Sequence, residues 1–190
     1  MANCRHHACR PSERLNYAKW TAVRVNYFRL YLREEMNNNP NFSLATDAIR
    51  LPYTKEVATY CTPFSCKDKD LDEFFARDAL LYGTELLGKT YAWVSSENTR
   101  QILGIITLAN DSVKSQHIAN SAKNRLQRGV PNAKRGINFP AVLIGRLGVS
   151  SEFRGKGLNV GSQILDFVKD WFRSEDNKTG CRFIVVDAYS

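Results

Sequence analysis

Ala141-Val-Leu-Ile-Gly-Arg-Leu-Gly-Val149 runs through Ser-Ser-Glu-Phe into Arg154-Gly-Lys-Gly-Leu-Asn-Val-Gly161. An apolar stretch enters a glycine-rich turn, and an amphipathic pattern starts beyond it. Aliphatic and β-branched residues make 142–149 a predicted strand. Ile164, Leu165, Val168, Trp171 and Phe172 recur at helical spacing, which predicts a helix starting near Ser162 and ending about Arg173. Glycines allow φ > 0 and a close backbone approach to a ligand. At a helix start, such a turn presents unpaired N–H groups at the positive helix end, which suits a phosphate or pyrophosphate.

Working outward, Phe183-Ile-Val-Val186 reads as a buried strand parallel to 142–149. On the other side, Leu71, Phe74, Phe75, Ala79 and Leu80 give residues 68–87 a helical period, closed by Gly88. Residues 90–94 and 102–108 are strands joined by a turn at 97–100, a hairpin. Residues 49–60 read as extended until Thr62-Pro63 breaks the pattern. Residues 110–139 are basic and interrupted by Gly129, Pro131 and Gly136, with a short helix over 118–126. The order is helix, hairpin, then strand–helix–strand, without an internal repeat. The fold class is α/β in a mixed α+β arrangement.

The chain has 190 residues, enough for one domain with a core and an extension. No apolar run is long enough to span a membrane, and the charged N-terminus lacks a signal-peptide core. Cys4, Cys9, Cys61, Cys66 and Cys181 are odd in number and scattered, which fits reduced thiols in the cytoplasm. Cys61 and Cys66 lack a partnering His or Cys pair, so they read as small buried hydrophobes and no metal is expected. Residues 1–35 differ in pattern and contribute +4 of the net +8 charge. Met36 and a polar Asn-rich stretch follow; residues 1–40 are read as an extension outside the fold, and 41–190 as the domain.

Between Asp111 and Glu152 there is no acid, but Lys114, Lys123, Arg125, Arg128, Lys134, Arg135 and Arg146 occur. A field of one sign favours nucleic acid or a phosphorylated ligand. A solvated basic loop has the same composition.

The element order and the 141–161 stretch resemble the GNAT superfamily of acyl-CoA N-acyltransferases. The resemblance implies a central mixed, twisted sheet flanked by helices, with the last helix and strands of the fold lying beyond Ser190. Leu147-Gly148-Val149 matches the strand-end triplet, and Arg154-Gly-Lys-Gly157 matches the start of the pyrophosphate motif. The next motif glycine falls on Asn159; a second register ends instead on Gly161, and helix phase favours that end point. Phe64-Ser-Cys66, Leu71-Asp-Glu-Phe-Phe75 and Gly104-Ile-Ile-Thr-Leu-Ala-Asn-Asp-Ser-Val113 extend the likeness to GNAT-type toxins of bacterial toxin–antitoxin modules. That branch acetylates the free α-amine of aminoacyl-tRNA.

The resemblance implies that acetyl-CoA is held by Leu147, Gly148 and Val149 of the strand. It adds Arg154, Gly155, Lys156, Gly157, Leu158, Asn159, Val160, Gly161 and Ser162 of the loop and helix start. An N–H of Leu147 or Val149 would polarise the thioester oxygen. Asn110, Lys114, Lys123, Arg125, Arg128, Lys134 and Arg135 are the candidate contacts to acceptor or nucleic acid. The family's catalytic Tyr is expected beyond Ser190; Tyr189 is a weak candidate, and Asp111, Asp187 and His117 read better as turn, strand-end or loop residues. The partners implied are acetyl-CoA, tRNA and an antitoxin protein, and a homodimer is carried as a further expectation. Two other readings remain open: an acetyltransferase of small amines or protein N-termini, and a nucleic-acid-binding protein that keeps the fold without the chemistry. Gly-Lys-Gly lacks the P-loop spacing, and the late position of the loop disfavours a dinucleotide fold.

Overall fold

The structure, a computed structural model, describes residues 42–128, 130 and 138–186. In chain order these form α1 (Leu44–Asp47), β1 (Ala48–Pro52), α2 (Lys55–Tyr60) and α3 (Lys69–Glu73), which continues through a π turn at Phe74–Asp78 into α4 (Ala79–Thr84). Then come β2 (Lys89–Ser95), β3 (Ile102–Lys114), α5 (Asn120–Gln127), β4 (Asn138–Val149), α6 (Val160–Arg173) and β5 (Phe183–Val186). The sheet order is β1-β2-β3-β4-β5; the first four strands are antiparallel and β5 is parallel to β4.

Alternation along the strands feeds cores on both faces of the sheet. On one face, α6 lays Val160, Ile164 and Val168 against Trp93, Leu103, Ile106, Leu108, Val142 and Ile144, with Leu44 of α1 at the margin. On the other face, α3 and α4 bring Phe74, Phe75 and Ala79 onto Ala92, Val94, Ile102 and Ile105. Beside them, α5 covers Phe139, Ala141, Phe183 and Val185 through Ala122 and Leu126. The far half of α6 is fastened to β1 and β2 by aromatic contacts. The Arg50 guanidinium carbon lies 4.1 Å from the Trp171 ring centroid and 4.9 Å from that of Phe167.

Two glycines set how closely the layers approach. A Cβ on Gly104 of β3 would lie 2.6 Å from Ile164 Cδ1 and 3.2 Å from Gly148 O, so glycine lets Ile164 of α6 pack here without moving aside. On the opposite face Gly148 lies under a T-shaped pair of rings, Phe64 and Phe75, whose centroids are 5.6 Å apart.

β4 carries a bulge. Arg146 pairs with Thr107 and Ile144 with Leu108, which leaves Gly145 without a cross-strand partner. Backbone direction confirms the parity change. The Pro140 carbonyl accepts from Arg182 N–H at the entry to β5, whereas Ser150 N–H donates back to Leu103 of β3. In an unbroken strand two even-numbered residues would face the same side. Side chains show the same switch: Val142 and Ile144 face α6 before the bulge, and Leu147 and Val149 do so after it. The main-chain groups of Leu147 and Val149 therefore point away from β3, to the side on which β5 lies. The described part of β5 pairs only with Ala141–Ile144.

The hairpin, the α5 helix and the parallel β5 agree with the sequence reading. Residues 49–60 differ. They are extended only to Pro52, and α2 follows because Thr54 caps it, its hydroxyl accepting from Val57 N–H. Gly88 does not close the preceding helix. Leu86 takes the left-handed position (φ +55°), and Gly88 instead permits a close approach to β3, where a Cβ would stand 3.0 Å from Leu108 O. The reading of residues 1–40 as an extension falls outside the described residues.

Gly148→Ala places a methyl 2.9 Å from Phe75 Cε2 and 3.0 Å from Phe64 Cε1. The expected result is a loss of about 1–3 kcal/mol in urea unfolding, typical of overpacking. An unchanged unfolding midpoint would show that the ring pair is free to move aside.

Candidate functional site

The loop after β4 is anchored where it leaves the strand. Ser150 N–H bonds Leu103 O and Ser151 N–H bonds Ser65 O, each at 2.9 Å. The Ser150 carbonyl then accepts from Phe153 and Arg154 N–H, both at 3.0 Å, which folds the chain into a turn. Beyond it the backbone alternates: Gly155 (φ +78°), Gly157 (+73°) and Asn159 (+49°) are left-handed. Asn159 is the N-cap of α6, and the first helical bond runs from Gln163 N–H to Asn159 O at 3.0 Å. The backbone N–H groups of residues 159–162, the N-cap and first turn of α6, donate to no other described residue. Unpaired N–H groups at a helix N-terminus, entered through a glycine-rich turn of alternating backbone, form an anion cradle. Arg154 and Lys156 are exposed beside it.

The helix starts two residues earlier than the sequence pattern places it. Asn159 does the work of the second motif glycine, because Asn is the non-glycine residue that best tolerates the left-handed region. Gly161, the end point favoured by helix phase, lies instead in the first turn of α6. There it packs on β4, where a Cβ would be 3.3 Å from Val149 Cγ2. Leu147, Gly148, Val149 and the residues 154–162 are thus gathered at one end of β4.

Two supports of the loop escaped the sequence reading. The Gln163 side chain donates from Nε2 to Leu158 O at 2.9 Å and accepts at Oε1 from Leu44 N–H at 2.7 Å. The second support is Asp72, which organises the 64–67 turn that receives Ser151. Its carboxylate accepts from Cys66 N–H and the Ser65 hydroxyl, both at 2.7 Å, and from Cys66 Sγ at 3.2 Å. Burial works against ionisation of Asp72, but these bonds outweigh it and the carboxyl titrates below its usual range. Burial pushes the Cys66 and Cys61 thiols up, so both stay protonated at neutral pH, as small buried hydrophobes do. Asp72 lies in the quoted Leu71-Asp-Glu motif, and its spacing to Cys66 was the available signal; Gln163 carried none.

The basic candidates lie elsewhere. Lys114 pairs with Asn138 at the opposite end of β4, and Lys123, Arg125 and Arg128 sit on or just after α5. None of these four forms an ion pair with a described residue. Arg146 turns the other way and lies over the Phe74 ring at 5.3 Å. Asn110 lines a cleft of about 460 Å³ with Leu108, Val142, Trp171 and Phe172, on the α6 face and away from the loop. Lys134, Arg135, Asp187 and Tyr189 lie outside the described residues, as does the His117 side chain. Among the described residues no helix is long and apolar enough to cross a membrane.

No family model matches the sequence, and no curated protein matches it. Solved structures do match its fold. AtaT complexed with acetyl-methionyl-tRNAfMet is 18% identical with a TM-score of 0.59, covering 76% of this chain and 79% of that one. A mutant of KacT is 19% identical with a TM-score of 0.59, over the same shares of the two chains. A mutant of the toxin AtaT, bound to the C-terminus of the antitoxin AtaR and acetyl-CoA, is 19% identical with a TM-score of 0.55, covering 76% and 77%. At this identity the likeness is one of fold, and the mixed, helix-flanked sheet expected from the sequence is the fold these structures share with the chain.

The depressed Asp72 titration sets an acid limit on this end of the molecule. A carboxyl lowered by folding contributes stability above its unfolded pKa, about 3.9, and loses it as pH falls through the folded value. Asp72→Asn is expected to lower stability at pH 7 and to flatten the fall between about pH 5 and pH 2, measured by urea unfolding across pH. An equally steep fall in the variant would assign acid sensitivity to other groups.

Proposed function

We propose that the chain is an acetyl-CoA-dependent N-acetyltransferase of the GNAT type, with the α-amine of an aminoacyl-tRNA as acceptor. The observation that carries this reading is the set of unpaired N–H groups at residues 159–162, at the end of a glycine-rich turn, beside a Leu147–Val149 edge that no described residue pairs on the β5 side. The two parts fit the two ends of one molecule. The cradle, with Arg154 and Lys156, suits the pyrophosphate. The N–H and C=O groups of Leu147 and Val149 suit the amides of the pantetheine arm, which would add to the strand in the manner of a peptide.

In the reaction a neutral amine nitrogen attacks the thioester carbonyl carbon, and the C–S bond breaks. One proton leaves the nitrogen and one reaches the departing thiolate. The chain's share is to hold both substrates at β4, which makes the encounter intramolecular, and to direct an N–H of Leu147 or Val149 at the carbonyl oxygen. The proton donor is left to a residue outside the described ones, with Tyr189 as the candidate this sequence supplies.

Lys114, Lys123, Arg125 and Arg128, unpaired with described acids, supply the field for a polyanionic acceptor. The bound molecules of the AtaT structures support acetyl-CoA, tRNA and an antitoxin segment as partners by likeness of fold. The reading places the protein in the cytoplasm, where tRNA and acetyl-CoA meet, and takes residues 41–190 as the domain.

Calorimetry with acetyl-CoA tests the reading directly. The chain is expected to bind, and Gly157→Glu to abolish binding: φ +73° strains any side chain there, and a carboxylate would face the pyrophosphate. No heat from the folded wild-type chain would reject the transferase. The acceptor is tested separately by reversing Lys123, Arg125 and Arg128 to Glu. The expected outcome is a loss of at least about tenfold in tRNA affinity and a shallower salt dependence, with acetyl-CoA binding unchanged. Unchanged tRNA affinity would favour a small amine or protein N-terminus as acceptor.

A further inference from the structure

We infer that Gln163 is a positioning residue that aims the anion cradle, and that it couples the cradle to α1. The inference rests on the acetyl-CoA reading above. Gln163 holds two consecutive peptide units. Its side-chain Nε2 fixes the Leu158 carbonyl at 2.9 Å, and its main-chain N–H fixes the Asn159 carbonyl at 3.0 Å. In a planar trans peptide the carbonyl and the following N–H point in opposite directions. Drawing both carbonyls back onto the first turn of α6 therefore turns the N–H groups of Asn159 and Val160 outward, toward the cradle.

Asn159 is the residue most in need of such a brace. It stands left-handed at φ +49° where the family motif has glycine, and its own side chain makes no capping bond. The orientation of the Gln163 amide is itself determined. Leu44 N–H donates only, so the atom 2.7 Å from it is Oε1, and Nε2 faces Leu158. Leu44 is buried at the edge of the α6 core, and Ser43 caps α1 by accepting from Ala45 N–H. Docking of α1 thus holds Gln163, and Gln163 holds the loop.

The test compares two ligands on wild type and Gln163→Met, which keeps side-chain length and loses both side-chain bonds. Acetyl-CoA carries the pyrophosphate; S-acetylpantetheine carries the thioester arm without it. The expected result is about a five- to tenfold rise in the Kd for acetyl-CoA, the scale of one lost hydrogen bond. Affinity for S-acetylpantetheine, followed by NMR titration, should stay unchanged. Gln163→Ala replaces the Met variant should that one fail to fold. Equal weakening of both ligands, or an unchanged acetyl-CoA Kd, overturns the positioning role alone. Failure of the wild-type chain to bind acetyl-CoA overturns the acetyl-CoA reading and this inference with it.

Discussion

The unpaired residue at Gly145 is the constraint on which the site depends. β4 pairs with β3 along its whole length, and with the described residues of β5 only at Ala141–Ile144. One extra residue reverses the parity of everything after it, so Leu147 and Val149 keep their side chains in the α6 core while their main-chain groups face away from β3. Without the bulge, residues 147 and 149 would turn their side chains out of that core. No described residue pairs with those backbone groups on the β5 side. Gly145 is not forced to be glycine by crowding, since a Cβ there would meet only Thr107 O at 3.9 Å. What matters is the insertion and its place in the strand.

The second requirement is that α6 start within reach of the end of β4. The ten residues from Ser150 to Asn159 must reverse direction and deliver a helix onto the same face that Val149 occupies. Close packing enforces this: Gly104 admits Ile164, Gly161 lies against Val149, and the 64–67 turn takes the loop's Ser151 N–H. Asp72 ties that turn together through the strongest kind of local bond, a carboxylate accepting from main-chain and hydroxyl donors. The layers on both faces of the sheet therefore converge on one loop, so rigidity there is a property of the whole fold.

Much of this was legible in the sequence because the signals were local and periodic. The apolar run 142–149, the helical spacing of Ile164, Val168 and Trp171 and the β-branched run at 183–186 each imposed one structure. The helix start was not legible. Helix phase counts only apolar positions, and Gly161 reads as a turn residue until its packing on Val149 is seen. Asn159 in the left-handed region takes a backbone conformation that the sequence pattern assigns to glycine. α2 was missed because a single turn capped by Thr54 buries too little to leave a period. Gln163 was invisible for a different reason: its partner, Leu44, lies 119 residues away.

The layout also separates two electrostatic tasks along a single strand. The cradle follows Val149, whereas α5 packs where Phe139 and Ala141 lie on the same strand. At about 3.3 Å per residue, Ala141 and Val149 are roughly 26 Å apart. The screening length at physiological salt is about 8 Å. Charges on α5 are therefore too distant to hold a pyrophosphate at the cradle, yet well placed to gather a polyanion large enough to span the gap. A small amine would gain little from cations so far from the thioester. The nucleic acid proposed as acceptor would bridge the distance with its own backbone, meeting α5 with its phosphates while its end reaches Leu147 and Val149. On the proposed reading, the separation together with the positive charge of α5 thus favours an extended, polyanionic acceptor over a small amine.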